Sequence, residues 1–312
     1  MISFIVACRL LGASLACGLN VYATVAILGL ASRLGWIEPL PPAVQGLENT
    51  IIIAAATLLF ATEIIASAVP LLEAAWEAIH TIVRPVAAAA LAWLALETVP
   101  IELRVAGAVL AGCVALAAHM AKVGLRLVEA RRRAVRIAIS FLEDALAIGL
   151  VLSTLLSPSI AFAVTGAILV LLLFRGPRLW RAAAYGARAV AAQLRGFFGT
   201  RDFRDASEMP ATLRALLPPP TLGSASPRAV RATLGKGAWR NGWLVFEGDR
   251  TAFLYRGLLR SRRMPLASAR STVSPGFLAD TLDLDTPDRH LTFLVLKDGP
   301  SMEAMLAEID RG

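Results

Sequence analysis

Residues 136–175 read RIAISFLEDALAIGLVLSTLLSPSIAFAVTGAILVLLLFR. Two apolar runs flank Ser157-Pro158-Ser159, and arginines close the outer ends at Arg136 and Arg175. A bilayer core about 30 Å thick takes about 20 apolar residues as a helix, which satisfies its own backbone polar groups in lipid. The stretch therefore predicts a transmembrane helical hairpin, 136–156 and 158–175, with both arginine ends on one side of the membrane. One pair breaks the apolar pattern. Glu143 and Asp144 are adjacent inside the first run and point about 100° apart on a helix, so both cannot face lipid cheaply. At least one is expected to face the interior of a bundle.

The same reading extends upstream, predicting spans at 5–33, 50–68, 78–97 and 103–126. Helix breakers separate them: Pro39, Pro41 and Pro42, then Pro70, then Pro100. Of 312 residues, 57% are hydrophobic and 17% charged, where soluble domains carry roughly 25% charged. Mean hydropathy is +0.65. The fold class expected is an α-helical integral membrane bundle of about six spans, followed by a small β-rich (α+β) soluble domain. The net charge of +8 does not imply a nucleic-acid partner, because the basic residues sit at span ends and in the tail. Cys8, Cys17 and Cys113 fall in apolar runs without a C-x-x-C pair, so neither a disulfide framework nor a zinc site is expected, and no cofactor. The N-terminal run resembles a signal peptide, but it stays apolar to Ile37 and reads as a retained span.

Arg131, Arg132, Arg133 and Arg136 between spans four and five, and Arg175, Arg178 and Arg181 after span six, place both of those segments on the inner side. Both termini are then expected in the cytoplasm. Six spans with both ends inside divide into two groups of three, and LGLASRL at 28–34 has a weak echo in VGLRLVE at 123–129. Such an inverted repeat is the organisation of many secondary transporters.

Several polar residues interrupt the spans. Glu63 lies in LLFATEIIASAVP, near enough to the expected inner surface to reach it or to face a cavity. His119, Lys122 and Arg126 share one face of span four, a cationic stripe expected to meet Glu143 or Asp144 on span five, as a structural ion pair or as a proton or ion relay. In PLLEAAWEAIHTIVRP, 70–85, Glu73, Glu77, His80 and Arg84 form a polar stripe, read as an interfacial or re-entrant helix. Gly18-Leu19-Asn20 interrupts span one and marks a break in the helix, Gly18 being the weak point, where backbone carbonyls can coordinate ions.

On these residues the chain resembles the bacterial multipass membrane family of domain of unknown function 4126. The likeness covers about 5–175 and rests on Gly18, Asn20, Glu63, Pro70, Trp76, His80, Arg84, Pro85, His119, Lys122, Glu143 and Asp144. Two departures stand out: the family's acidic residue near Ser67 is missing, and Glu73 and Glu77 replace Asp. The resemblance implies a bacterial inner-membrane location and carries no activity.

After the spans, 176–227 reads as a basic amphipathic helix with a Pro-rich linker, and 228–312 as a cytoplasmic domain of short strands with a closing helix. That pattern is similar to a pleckstrin-homology-like module, which implies binding to a lipid, peptide or subunit. Arg256, Arg260, Arg262 and Arg263 are a candidate anion or lipid patch. Expected partners are membrane lipids, a second copy of the chain and a protein docking on 229–312. No soluble catalytic signature occurs. The function expected is a transporter or channel for an ion or small solute, with Asn20, Glu63, His80, Arg84, His119, Lys122, Glu143 and Asp144 lining its path. The alternatives are a non-transporting scaffold or sensor and a membrane-embedded lipid enzyme.

Overall fold

The computed structural model describes residues 4–37, 40–67, 69–129, 133–198, 202–218, 226–235, 239–247, 250–257, 260–266, 270–276, 279–286 and 289–309. The protein is an integral membrane protein made of two compact units, Met1–Ala183 and Ala184–Gly312. The first is helical: α1 (Phe4–Arg33), α2 (Thr50–Ser67), α3 (Pro70–Ala95), α4 (Ile101–Glu129), α5 (Arg133–Leu156) and α6 (Pro158–Phe198), which runs on into the second unit. A 3-10 turn, Pro42–Glu48, connects α1 to α2. All six helices have the length and apolar composition needed to cross a membrane. Residues 70–85 are the first half of α3 and not a separate interfacial or re-entrant segment, because the helix runs unbroken through Pro85. Arg131 and Arg132 lie outside the described residues.

Helix α1 is not a straight crossing. Asn20 has φ −152° and ψ 100°, an extended residue between two helical segments. The segments before and after it share surroundings. Phe4 packs edge-on against Phe162 with ring centroids 5.5 Å apart, and a side chain on Gly12 would meet Thr154 and Ala161. Those partners flank the α5–α6 turn at Ser157. Val6 and Leu28, about 33 Å apart on a straight helix of 1.5 Å rise, line one cavity of about 320 Å³ with Ile37, Val44, Ala95 and Thr154. Helix α1 thus folds back at Asn20. Its arms, roughly 24 Å and 20 Å long at that rise, enter from one end of the bundle, and neither spans a core of about 30 Å.

This corrects the expectation of one through-crossing over 5–33 that starts and ends on opposite sides. Hydropathy counts apolar residues but does not register a reversal. The re-entrant pair is also the most enclosed element, 56% of its apolar stretch being buried inside the protein against 11–33% for the other five. That enclosure is what a non-helical residue at membrane depth requires. With α1 re-entrant, an equal division into two groups of three crossings does not describe this bundle.

In the second unit, β1 (Arg204–Asp205) leads through the short helix α7 (Ala211–Arg214) to β2 (Arg228–Leu234), β3 (Arg240–Glu247), β4 (Arg250–Arg256), β5 (Ser261–Leu266), β6 (Arg270–Ser274), β7 (Ala279–Thr286), β8 (Arg289–Leu296) and the closing helix α8 (Met302–Ile309). The sheet is antiparallel in the order β5-β4-β3-β2-β8-β7-β6, with β1 on β2. Alternation along the strands gives it two buried faces. Val230, Leu244, Phe253, Leu282 and Phe293 pack with Met305 and Ile309 of α8. On the other face, Ala229, Trp243, Val245 and Leu254 pack with Ala206, Met209 and Leu213. Residues 202–218, read from sequence as part of a linker, are therefore built into this unit. Gly248 and Asp249, between β3 and β4, lie outside the described residues.

Candidate functional site: a buried charge network at a helix break

The break at Asn20 rewires the backbone around it. Asn20 Oδ1 accepts the Ala23 N–H at 3.0 Å, the bond that the Leu19 carbonyl would accept in a continuous helix. Asn20 is thus the N-cap of the second arm, with the extended backbone that caps adopt. Its carbonyl accepts the Thr24 hydroxyl at 2.8 Å, and its Nδ2 donates to Asp144 Oδ1 at 3.0 Å. The two carbonyls before it accept cationic side chains instead. Arg84 Nη1 donates to Gly18 O and Lys122 Nζ to Leu19 O, each at 3.2 Å. The first arm therefore ends with its negative dipole end on two cations, an electrostatically favourable placement. Gly18 allows the close approach: a Cβ there would lie 2.3 Å from the Ala115 carbonyl oxygen of α4.

Around this apex, Arg84, Lys122 and Arg126 face Glu63, Glu77 and Glu143, all buried. Glu63 Oε1 accepts from both Arg84 Nη2 (2.6 Å) and Lys122 Nζ (2.8 Å). Arg126 grips Glu143 Oε2 through Nη2 (2.6 Å) and Nε (3.0 Å), and its Nη1 donates to Glu73 (2.9 Å) and Glu77 (3.2 Å). Lys122 also lies 3.4 Å from Glu77 and 3.9 Å from Glu143. Three buried cations face three buried carboxylates, with the partly buried Glu73 and Asp144 at the margin. Burying each ion costs several kcal/mol, and pairing offsets that cost only where geometry is close. Glu63 Oε2, Glu143 Oε1 and Arg84 Nε still have no hydrogen-bond partner among the described residues.

The hydrogen bonds fix two tautomers. His119 Nδ1 sits 3.0 Å from Arg84 Nη1, and since arginine only donates, that nitrogen accepts. Nε2 then carries the proton and donates to Thr81 Oγ1 at 3.0 Å, whose own hydrogen goes to the Glu77 carbonyl. His119 is neutral here, so its 3.5 Å approach to Glu77 Oε2 is not an ion pair. His80 Nδ1 faces the Trp76 carbonyl at 2.6 Å and must donate, leaving Nε2 to accept from the Tyr22 hydroxyl at 2.9 Å. The ring stacks on Trp76, centroids 4.7 Å apart.

Of the residues singled out by sequence, Glu63, Arg84, His119, Lys122 and Glu143 thus converge, and Gly18 joins them through its carbonyl. Asn20 and Asp144 form the adjoining pair at the break. His80 stands apart, on Tyr22 and Trp76. Glu63 is buried and does not snorkel to the surface. The cationic stripe of α4 meets span five as expected, through Arg126 and Lys122 on Glu143, whereas His119 lies on Thr81 and Arg84 of α3. Glu73, Glu77 and Arg126 were outside the candidate set and are integral to the network. Their signal was present. The stripe at 73, 77 and 84 on α3 and the stripe at 119, 122 and 126 on α4 run antiparallel across a short turn, so Glu73 and Glu77 face Arg126 and Lys122 while Arg84 faces neutral His119.

In the second unit the proposed arginine patch is divided. Arg256 is exposed and lines a cavity, and Arg260 is exposed. Arg263 is held by Glu247 at 2.7 Å and by the Leu216 carbonyl at 3.2 Å. Arg262 is opposite Tyr255 in the β4–β5 register and Arg256 opposite Ser261, so Arg262 points to the other face of the sheet.

No curated protein and no solved structure matches the chain. The family described as Domain of unknown function (DUF4126) matches residues 7–178, which contain the whole charge network from Gly18 to Asp144. With more than half of its length matched, the chain belongs to the DUF4126 family.

Proposed function

We propose that the protein is a transporter or channel for an ion or small solute in the bacterial inner membrane, with Asn20, Glu63, His80, Arg84, His119, Lys122, Glu143 and Asp144 along its path. One observation carries this reading: a broken helix presents the Gly18 and Leu19 carbonyls at membrane depth, between buried cations and carboxylates that keep acceptor oxygens free. Broken helices of this kind form ion sites in membrane transporters. A bundle needing only stability gains more from apolar residues than from six buried charges. Protonating neutral His119 at Nδ1 would break its bond from Arg84, which couples proton arrival to the grip on Glu63. The fold-back of α1 supports an outer-side start for its first arm, in place of a cytoplasmic one, and the arginine bias supports a cytoplasmic C-terminal domain. The strand order with a closing helix, β5-β4-β3-β2-β8-β7-β6 then α8, supports reading that domain as pleckstrin-homology-like.

The test uses purified protein in liposomes with a trapped pH dye and an imposed sodium or potassium gradient. Flux should be present in the native protein and lost in Glu63→Gln and Asp144→Asn while both remain folded. Unchanged flux in both variants removes these residues from the path, and no flux in the native protein favours the scaffold or sensor. The dense mutual pairing of Arg126 with Glu73, Glu77 and Glu143 is the observation that supports that second reading.

A further inference from the structure

A cavity of about 330 Å³ opens on the sheet face that carries Trp243, and its lining includes Arg188, Arg231, Arg256, Thr233 and Asn241. The one carboxylate on its wall, Glu208, is engaged by Arg204 at 2.7 Å. Elsewhere in this unit Arg195, Arg204, Arg228 and Arg263 each hold a carboxylate. The three arginines of the cavity have no carboxylate within ion-pair distance among the described residues. Arg231 is half-buried and lies over the Trp243 ring, 5.2 Å from its centroid. Arg188 meets a neutral group: with the Asn241 amide turned so that Nδ2 donates to Thr233 Oγ1 (2.7 Å), Oδ1 accepts from both Arg188 Nη atoms at 3.2 and 3.3 Å. Burial, and then the nearby Arg204, hold Arg231 below the usual arginine range.

Three arginines without a paired carboxylate on one concavity give it a positive potential that concentrates anions there. Guanidinium forks match phosphate oxygens in pairs, and the Trp243 face with Leu213 and Leu296 gives an apolar wall beside them. We propose that this cavity binds a phosphate-bearing anion, a lipid headgroup or a soluble phosphate ester, held by Arg188, Arg231 and Arg256. The site shares only Arg256 with the arginine patch read from sequence, and it stands or falls independently of transport.

Two probes separate the sources. Glycerol 3-phosphate is titrated calorimetrically into full-length protein in phosphatidylcholine nanodiscs, and phosphatidylglycerol retained by the protein through a detergent wash is quantified. Binding of the first alone identifies a soluble ester; retention of the second, with or without the first, identifies a lipid headgroup. In either case Arg231→Gln and Arg256→Gln should weaken binding at least tenfold. Arg262→Gln removes the same charge from the opposite face and should change it less than twofold. Arg256 is exposed, so its variant tests the site without disturbing the core. Absence of both signals, or equal weakening by Arg262→Gln, overturns the proposal.

Discussion

The two units handle arginine in opposite ways. In the helical unit Arg84 and Arg126 are buried, and each is held by carboxylates as close as 2.6 Å. In the β unit Arg188, Arg231 and Arg256 gather around a cavity with no carboxylate within ion-pair distance of them among the described residues. In a mutually paired set, removing one member leaves its buried partners exposed to the cost of burial. A surplus set awaits an anion, so removing one member costs binding more than folding. Close pairing, more than charge count, separates a cluster whose members hold one another from one left open to an anion.

This contrast can be broken at its strong end first. Arg84→Gln leaves Glu63 with Lys122 alone and deprives the Gly18 carbonyl of its donor. Loss of one partner from a buried ionic set costs about 3–5 kcal/mol. The expected outcome is a large fall in the thermal unfolding midpoint of the detergent-solubilised protein, or failure to accumulate. A variant of native stability would show the network to be dispensable. Gly18→Ala comes next. Its methyl must displace the α4 backbone near Ala115, an overpacking cost of about 1–3 kcal/mol, read by the same unfolding measurement. Arg256→Gln stands at the weak end, an exposed charge whose loss should move stability by less than about 0.5 kcal/mol. If it destabilised the domain as Arg84→Gln does the bundle, the distinction between the two sets would fail.

Much of this architecture is legible in the sequence, and the exceptions have physical reasons. Five crossings and the closing helix α8 follow from apolar runs and periodicity. Strand β2, RAVRATL, eludes that reading because its buried positions include the small Ala229 and Ala232. Strand β6, RSTVS, is a polar strand at the sheet edge with little hydrophobic signal. The reversal in α1 rests on the backbone angles of one residue, so the anomaly at Gly18-Leu19-Asn20 marks the place of a break but not its angle. The candidate site follows the same rule. Glu63, Arg84, His119 and Lys122 are conspicuous as charges in apolar surroundings, whereas the pairing of α4 with α3 rather than α5 depends on how α1 is wedged among them. The arginine surplus of the β unit is legible only once strand register assigns Arg256 and Arg262 to opposite faces.

The fold-back of α1 also bears on the order of assembly. The first arm is made before the helices that hold its tip, and at roughly 24 Å it is shorter than a bilayer core of about 30 Å. The carbonyls at its tip are neutralised by Arg84 and Lys122, which belong to helices made third and fourth. The tip of this arm therefore gains both partners only once the chain has been extended past Lys122. A chain ending short of that point would leave the Gly18 and Leu19 carbonyls without these donors.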